Sequence, residues 1–179
     1  SQPKQEISKV FFPPPPELPR LQYLKSYTSG KDIEPPQSAF DSFVTGGEKK
    51  AVRLDKPYGL AAQKGKIYVC DTNSTVMVFD LQQNKFAPLE GAKGLGKLVQ
   101  PINIKMDSAG NKFVTDPIRG QVVMYDEKDF YVKSFGMSGV WKPVDAFPFA
   151  DHLYVVDAKN SAIRVFDIAT GEVTKVIGK

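Results

Sequence analysis

The sequence contains one cysteine, Cys70, and one histidine, His152. A single cysteine excludes an internal disulfide and any cysteine-rich metal centre. The two counts together remove most zinc sites, haem attachment through C-x-x-C-H, and every Ser/His/Asp or Cys/His triad that does not use His152 itself. His152 follows Asp151 in a stretch that reads as an exposed turn. No apolar run is long enough to span a bilayer, and no basic–apolar–small leader opens the sequence. The signatures G-x-x-x-x-G-K-[ST] and G-x-G-x-x-G are missing. "GAKGLGK" (91–97) sits between strands and opens no helix, so it reads as a loop rather than a phosphate cradle. A block of one charge sign is lacking too. The net charge is +4, with 24 basic and 20 acidic residues interspersed, which leaves nucleic-acid binding without an electrostatic footprint.

What is present is 179 residues with 41% hydrophobic and 25% charged side chains, the profile of a globular chain able to bury a sizeable core. Its strongest signal is repetition. "IYVCDTNSTVMVFD", "KFVTDPIRGQVVMYD" and "LYVVDAKNSAIRVFD" are three versions of one phrase. Pro57, Pro101 and Pro143 stand 44 and 42 residues apart, and Asp71, Asp116 and Asp157 stand 45 and 41 apart. Phe79, Tyr125 and Phe166 keep the same step. Each unit divides into four short β-like runs: 59–62, 67–71, 76–80 and 85–89; 102–106, 112–116, 122–126 and 131–135; 144–149, 153–157, 163–167 and 172–177. Turns such as "QKGK", "SAGN" and "ATGE" supply glycine where positive φ is needed. A four-strand unit of ~40–45 residues matches a β-propeller blade. The second and third strands are apolar on both sides, as strands stacked between neighbouring blades must be. The predicted fold is all-β, a β-propeller with three visible blades at 56–99, 100–141 and 142–179.

At "KPYGLA…GKIYVCDTNSTVMVFD" the unit resembles an NHL repeat, the blade of a group of six-bladed propellers, and the resemblance covers residues 56–179 in three copies. It rests on the proline–x–glycine opening and on the strand–Asp–turn–strand–aromatic core. The opening glycine is kept only as Gly59; Asn103 and Asp145 replace it in the other copies. The arginine common after the turn is replaced by Thr75, Gln121 and Ala162, so the nucleic-acid or peptide-reading surfaces of some family members are not carried over.

"FFPPPPELPR" (11–20) reads as a polyproline-II spacer, with docking to a proline-reading domain as the alternative. The polar residues before it read as a mobile start to the arm. After it, "RLQYLKSY" alternates, so Leu21, Tyr23 and Tyr27 are expected to face a core as a strand. Residues 39–44 read as a short helical turn ended by Gly46 and Gly47. A proline-rich arm (1–20) and connector (21–55) leading into an NHL propeller resemble bacterial surface or periplasmic NHL lipoproteins. That resemblance implies an extracytoplasmic location and a lipid anchor removed ahead of Ser1. Three blades fall below the four to eight of closed propellers. Two expectations follow: the N-terminal half of a longer six-bladed protein, with strand 21–27 as the clasp of its last blade, or two such chains closing one ring.

Candidate chemistry competes with scaffold throughout. Asp71, Asp116 and Asp157 end corresponding strands; a carboxylate ring for calcium or acid–base work is conceivable, but aspartate before a turn reads as an Asx lock on local N–H groups. Asp80, Asp126 and Asp167 have the same status. Cys70 corresponds to Thr115 and Val156, which marks a small packing position rather than a reactive thiol. Tyr58 and Trp141 read either as rim anchors for a partner or as plugs between blades. Asn103 and Asp145 open innermost strands, where propeller enzymes place ligands. Lactonases of the gluconolactonase type hold a divalent metal, such as calcium, in that region, but directly after the proline. Here those positions are Tyr58, Ile102 and Val144. The reading is therefore a non-catalytic platform without a cofactor, binding protein or glycan at Tyr58, Asn103, Asp145 and Trp141. The alternative is a hydrolase or lyase with a channel metal on Asn103 and Asp145.

Overall fold

In the computed structural model, the described residues are 10–36, 52–73 and 75–178. Three four-stranded antiparallel sheets follow one another along the chain. Blade 1 holds β3 (Pro57–Gln63), β4 (Lys66–Asp71), β5 (Val76–Asp80) and β6 (Lys85–Pro88). Blade 2 holds β7 (Asn103–Met106), β8 (Lys112–Asp116), β9 (Gln121–Tyr125) and β10 (Tyr131–Gly136). Blade 3 holds β11 (Pro143–Phe149), β12 (His152–Asp157), β13 (Ala162–Asp167) and β14 (Val173–Gly178). Each is a meander whose strands pair in sequence order, and the first strands of successive blades contact one another, which sets them on the inner side of the stack. This is the all-β propeller architecture that the repeat predicts.

Two apolar layers glue the blades face to face, because alternation along a strand sends successive side chains to opposite faces. Tyr68, Cys70, Val76 and Val78, on the trailing face of blade 1, meet Ile104, Val114, Val123 and Tyr125 on the leading face of blade 2. Phe113, Val122, Met124 and Phe135 on the trailing face of blade 2 meet Ala146, Leu153, Val155 and Phe166 of blade 3. The middle strands of blades 1 and 2 are therefore buried on both sides, as in "VMVFD" of β5. A third cluster covers the leading face of blade 1: Val69, Met77, Phe79 and Phe86 pack under Tyr27, Ile33 and Leu54 of the N-terminal segment. Tyr27 lies 5.5 Å from Phe79 between ring centroids. The Glu34 carboxylate accepts the Phe86 N–H at 2.9 Å, closing part of the outer edge of the blade.

The N-terminal region departs from its expected form. Leu21–Tyr23 (β2) joins no blade; it pairs antiparallel with Val10–Phe12 (β1), and both short strands are exposed. The proline run is accordingly a hairpin turn and not an extended spacer: it bends so that the Arg20 N–H reaches the Phe12 carbonyl at 2.8 Å. Three residues of alternation carry too little apolar area to dock on a blade, whereas the pairing across the turn satisfies both backbones. Of the residues expected to face a core, only Tyr27 does. His152 is not in a turn but begins β12, paired with Phe149 and Asp167. Residues 91–97 are a loop, as expected, with one short 3-10 turn at Gly94–Gly96. The helical turn expected at 39–44 and the start of the arm at 1–9 lie outside the described residues.

Candidate functional site

The inner strands of the three blades open on corresponding residues Gly59, Asn103 and Asp145. Asn103 Nδ2 donates to Asp145 Oδ1 at 2.6 Å, so the two residues singled out in the sequence meet across the junction of blades 2 and 3. Each also turns back on its own strand: Asn103 Oδ1 accepts the Ile104 N–H and Asp145 Oδ1 the Ala146 N–H, both at 2.9 Å. Gly59 has no side chain for a physical reason. A Cβ there would lie 2.5 Å from the Ile102 carbonyl oxygen and 2.8 Å from Asn103 Cα. The first two inner strands thus approach at the one position where the third blade has room for a carboxylate.

A divalent cation does not fit this row as it is built. Calcium takes six to eight oxygens. Here Gly59 offers no side chain, Asn103 Oδ1 and Asp145 Oδ1 already accept N–H groups, and the row is left with Asp145 Oδ2 as its one further side-chain oxygen. Among the described residues no group of three or more His, Cys, Asp or Glu is arranged to hold a metal.

The repeat aspartates lock the backbone. Asp71 accepts the N–H groups of Asp55 (2.7 Å) and Lys56 (3.1 Å), just ahead of the blade-opening Pro57, and that of Asn73 in its own turn. Asp116 does the same for Val99 (2.6 Å), Gln100 (3.0 Å) and Arg119 (2.9 Å). Asp157 accepts the Lys142 N–H at 3.1 Å, the Asn160 amide at 2.7 Å and Arg164 Nε at 2.9 Å. Burial would raise the Asp157 pKa, but these donors outweigh it and hold the carboxyl below its ordinary value. Each aspartate therefore pins the approach to its inner strand onto the turn after its second strand. Asp80, Asp126 and Asp167 hold the opposite hairpins through N–H groups two to four residues on.

Of the aromatic candidates, Trp141 plugs the junction of blades 2 and 3. Its ring packs edge-on against Phe166 at 5.5 Å and carries the Arg164 guanidinium 4.3 Å from its centroid. Tyr58 is 75% exposed on the inner strand of blade 1. Cys70 is fully buried, and burial, helped by the Asp116 charge, pushes its thiol pKa up to about 12.

Two features escaped the sequence reading. The first is a buried ionic clip between blades 1 and 2. Lys112 Nζ sits 2.6 Å from Asp129 Oδ1 and donates to the carbonyls of Asp126 (2.8 Å) and Glu127 (2.9 Å). Lys66 Nζ and the Tyr68 hydroxyl reach the same carboxylate at 3.1 and 2.9 Å. Burial would raise the pKa of Asp129; the two ammonium groups prevail and hold it below its ordinary value. The visible signal was Lys112 itself, which the repeat aligns with Ile67 and Leu153. The second feature is Arg119, whose guanidinium donates to the carbonyls of Lys97 and Leu95 and to Ser134 Oγ, tying the 91–97 loop to the turn of blade 2. Gly120 beside it faces the Met137 and Trp141 carbonyls, at 3.1 and 3.2 Å from the place of a Cβ. Three loops are thereby held together at the end of the stack where the aspartate locks lie, and they expose Leu95, Ile118, Met137 and Val140.

No family model matches the chain, and no curated protein matches it. Solved structures do. A chain of the nidogen/laminin complex matches with a TM-score of 0.57 at 14% identity, over 73% of this chain and 52% of that one. Streptogramin B lyase matches at 0.57 and 12%, over 69% and 40%. Hydrazine synthase of Kuenenia stuttgartiensis matches at 0.55 and 19%, over 73% and 40%. This chain thus spans about half the length of these structures or less. The fold and the neighbours together define a β-propeller chain built of four-stranded blades. Both a protein–protein complex and a lyase stand among the similar structures, so likeness of fold leaves the choice of function to the residues.

Proposed function

We propose that this chain is a non-catalytic binding platform of the NHL propeller type, working outside the cytoplasm and presenting protein or glycan partners with the loop end described above. The observation that carries the reading is Leu95, Ile118, Met137 and Val140, exposed on three loops that the Arg119 hydrogen bonds and the close approach at Gly120 hold together. Exposed apolar side chains on a pre-organised surface favour association, because little conformational entropy is lost on contact. Lys93, Lys97 and Lys159 lie on loops of the same end and supply a basic fringe suited to an acidic rim on the partner. The opposing hairpins mix Gln82, Gln83, Asn84, Ser108 and Lys128 with exposed Phe130 and Phe149. Support for the extracytoplasmic setting comes from the sequence resemblance to NHL lipoproteins, in which a lipid anchor precedes the arm.

The test is photo-crosslinking in the organism that makes the protein, from a benzophenone side chain placed at Ile118. The expected result is one discrete adduct, lost when Leu95→Glu and Met137→Glu are introduced together, and located in the envelope fraction. No adduct, or lactone turnover by the purified protein that depends on added calcium and is lost in Asp145→Asn, overturns the reading.

A further inference from the structure

The turn between β4 and β5 reads "DTNST" (71–75). Of the asparagines in the chain, only Asn73 is followed two places on by serine or threonine with no proline between, the acceptor pattern for an N-linked glycan. An acid, Asp71, stands two places before it, which gives the longer form of the pattern that bacterial oligosaccharyltransferases require. Asn73 is exposed in the middle of this turn.

The fold does not account for the pattern. The corresponding turns place four residues between Asp116 and Gln121 in blade 2, and four between Asp157 and Ala162 in blade 3. Here three residues separate Asp71 from Thr75, whose carbonyl accepts the Asp71 N–H at 2.8 Å. Thr75 therefore takes the place of Gln121 and Ala162, and Ala162 fills it with a methyl group alone. Thr75 Oγ1 is buried and finds no hydrogen-bond partner among the described residues. A buried hydroxyl without a partner lowers stability, so folding supplies no reason for one at this position. Asn160, in the corresponding turn of blade 3, is a useful contrast. Its amide donates to Asp157 Oδ2 at 2.7 Å and to the Val140 carbonyl at 3.2 Å, and Ala162 stands where an acceptor would need a hydroxyl. Asn73 Nδ2 has one bond among the described residues, to Asp55 Oδ2 at 2.8 Å.

We infer that Asn73 is a glycosylation site, with Thr75 and Asp71 as the side chains a transferase reads. The inference rests on the extracytoplasmic setting proposed above, because such transfer takes place on the non-cytoplasmic side of a membrane. Asn73 Nδ2 attacks the anomeric carbon of an oligosaccharide carried on a lipid diphosphate. The new C–N bond forms as the bond from that carbon to the diphosphate oxygen breaks. One amide proton passes to a base of the transferase, and lipid diphosphate departs. A single N–H remains on Nδ2, enough to keep the bond to Asp55. In the closed blade Thr75 Oγ1 is buried, and Asp71 is 1% exposed and holds the N–H groups of Asp55 and Lys56. Transfer therefore precedes closure of blade 1, and the exposed position of Asn73 leaves the glycan in solvent afterwards.

The test takes the chain from the organism that makes it, separated into envelope and cytoplasmic fractions and digested with trypsin. The peptide 67–85 carries Asn73. The expected result is an oligosaccharide on Asn73 in its fragmentation spectrum, with Asn160 bare. Asn73→Gln and Thr75→Val should each abolish the glycan, and Thr75→Ser should retain it. Produced in a host without the transferase, Thr75→Val should unfold in urea no earlier than wild type, which separates a recognition role from a structural one. A bare Asn73 in chain recovered from the envelope overturns the inference and leaves the platform reading standing. Chain recovered bare from the cytoplasm overturns both. A glycan that persists in Thr75→Val overturns the role given to the hydroxyl.

Discussion

Replacing Asp129 by asparagine removes one charge from the clip between blades 1 and 2 and leaves its shape intact. Lys112 then remains buried with an ammonium that keeps two carbonyl partners, Asp126 and Glu127, and the face of Tyr68 at 5.2 Å, but no counter-charge at 2.6 Å. Breaking a buried pair by removing one partner costs about 3–5 kcal/mol. The surviving carbonyls place this case at the lower end, about 3 kcal/mol. With a urea dependence of ~2 kcal/mol/M, the unfolding midpoint should fall by roughly 1.5 M. Lys112→Met should cost less, since Asp129 keeps Lys66 and Tyr68. The double variant should cost less than the two single changes added together. The sign of the pH effect follows from the depressed pKa of Asp129. Its contribution is complete above the unfolded value of 3.8 and is lost as pH falls through the lower folded value, so wild type and Asp129→Asn converge only in strong acid. A penalty under about 1 kcal/mol at pH 7, or a difference already gone at pH 5, would refute the reasoning.

Two further outcomes are expected. Cys70, buried and held protonated with a pKa pushed up to about 12, should not react with a disulfide reagent at pH 8 until the protein unfolds; stoichiometric labelling of the folded chain contradicts this. Gly59→Ala should destabilise by about 2 kcal/mol in the same urea assay, because its Cβ would meet the fixed backbone of blade 2 at 2.5 Å. Gly171→Ala, where nothing lies within 4 Å, should cost only the smaller strain of its positive φ.

The blades were legible because their signals are local. Proline, aspartate and aromatic recur at one interval, and each marks a place that a four-strand meander needs: the start of the inner strand, the turn lock, and the outer packing residue. The turn function of the aspartates was legible for the same reason. Their longer reach, to the backbone ahead of the blade-opening proline, was not, since it joins residues 15 to 17 apart through the closing of the sheet. The polyproline reading of 11–20 failed because composition describes a stiff segment and says nothing of where its flanks find partners. Asn103 and Asp145 could be marked as channel candidates, but their mutual bond depends on how far apart blades 2 and 3 settle.

Repetition at about 43 residues, alternation within each run and the turn residues between runs were sufficient for the all-β propeller class and the packing role of Cys70. These depend on period and on neighbours along the chain. Tertiary structure alone decided which charged groups would be buried together, as in the clip of Lys66, Lys112 and Asp129. It alone decided which loops would gather their apolar side chains at one end. It decided, finally, that Tyr27, Ile33 and Leu54 would cover Val69, Met77, Phe79 and Phe86 on the leading face of blade 1. The physical reason is common to all three: contact between blades joins residues dozens of positions apart, and no pattern along the chain records the angle at which two sheets meet.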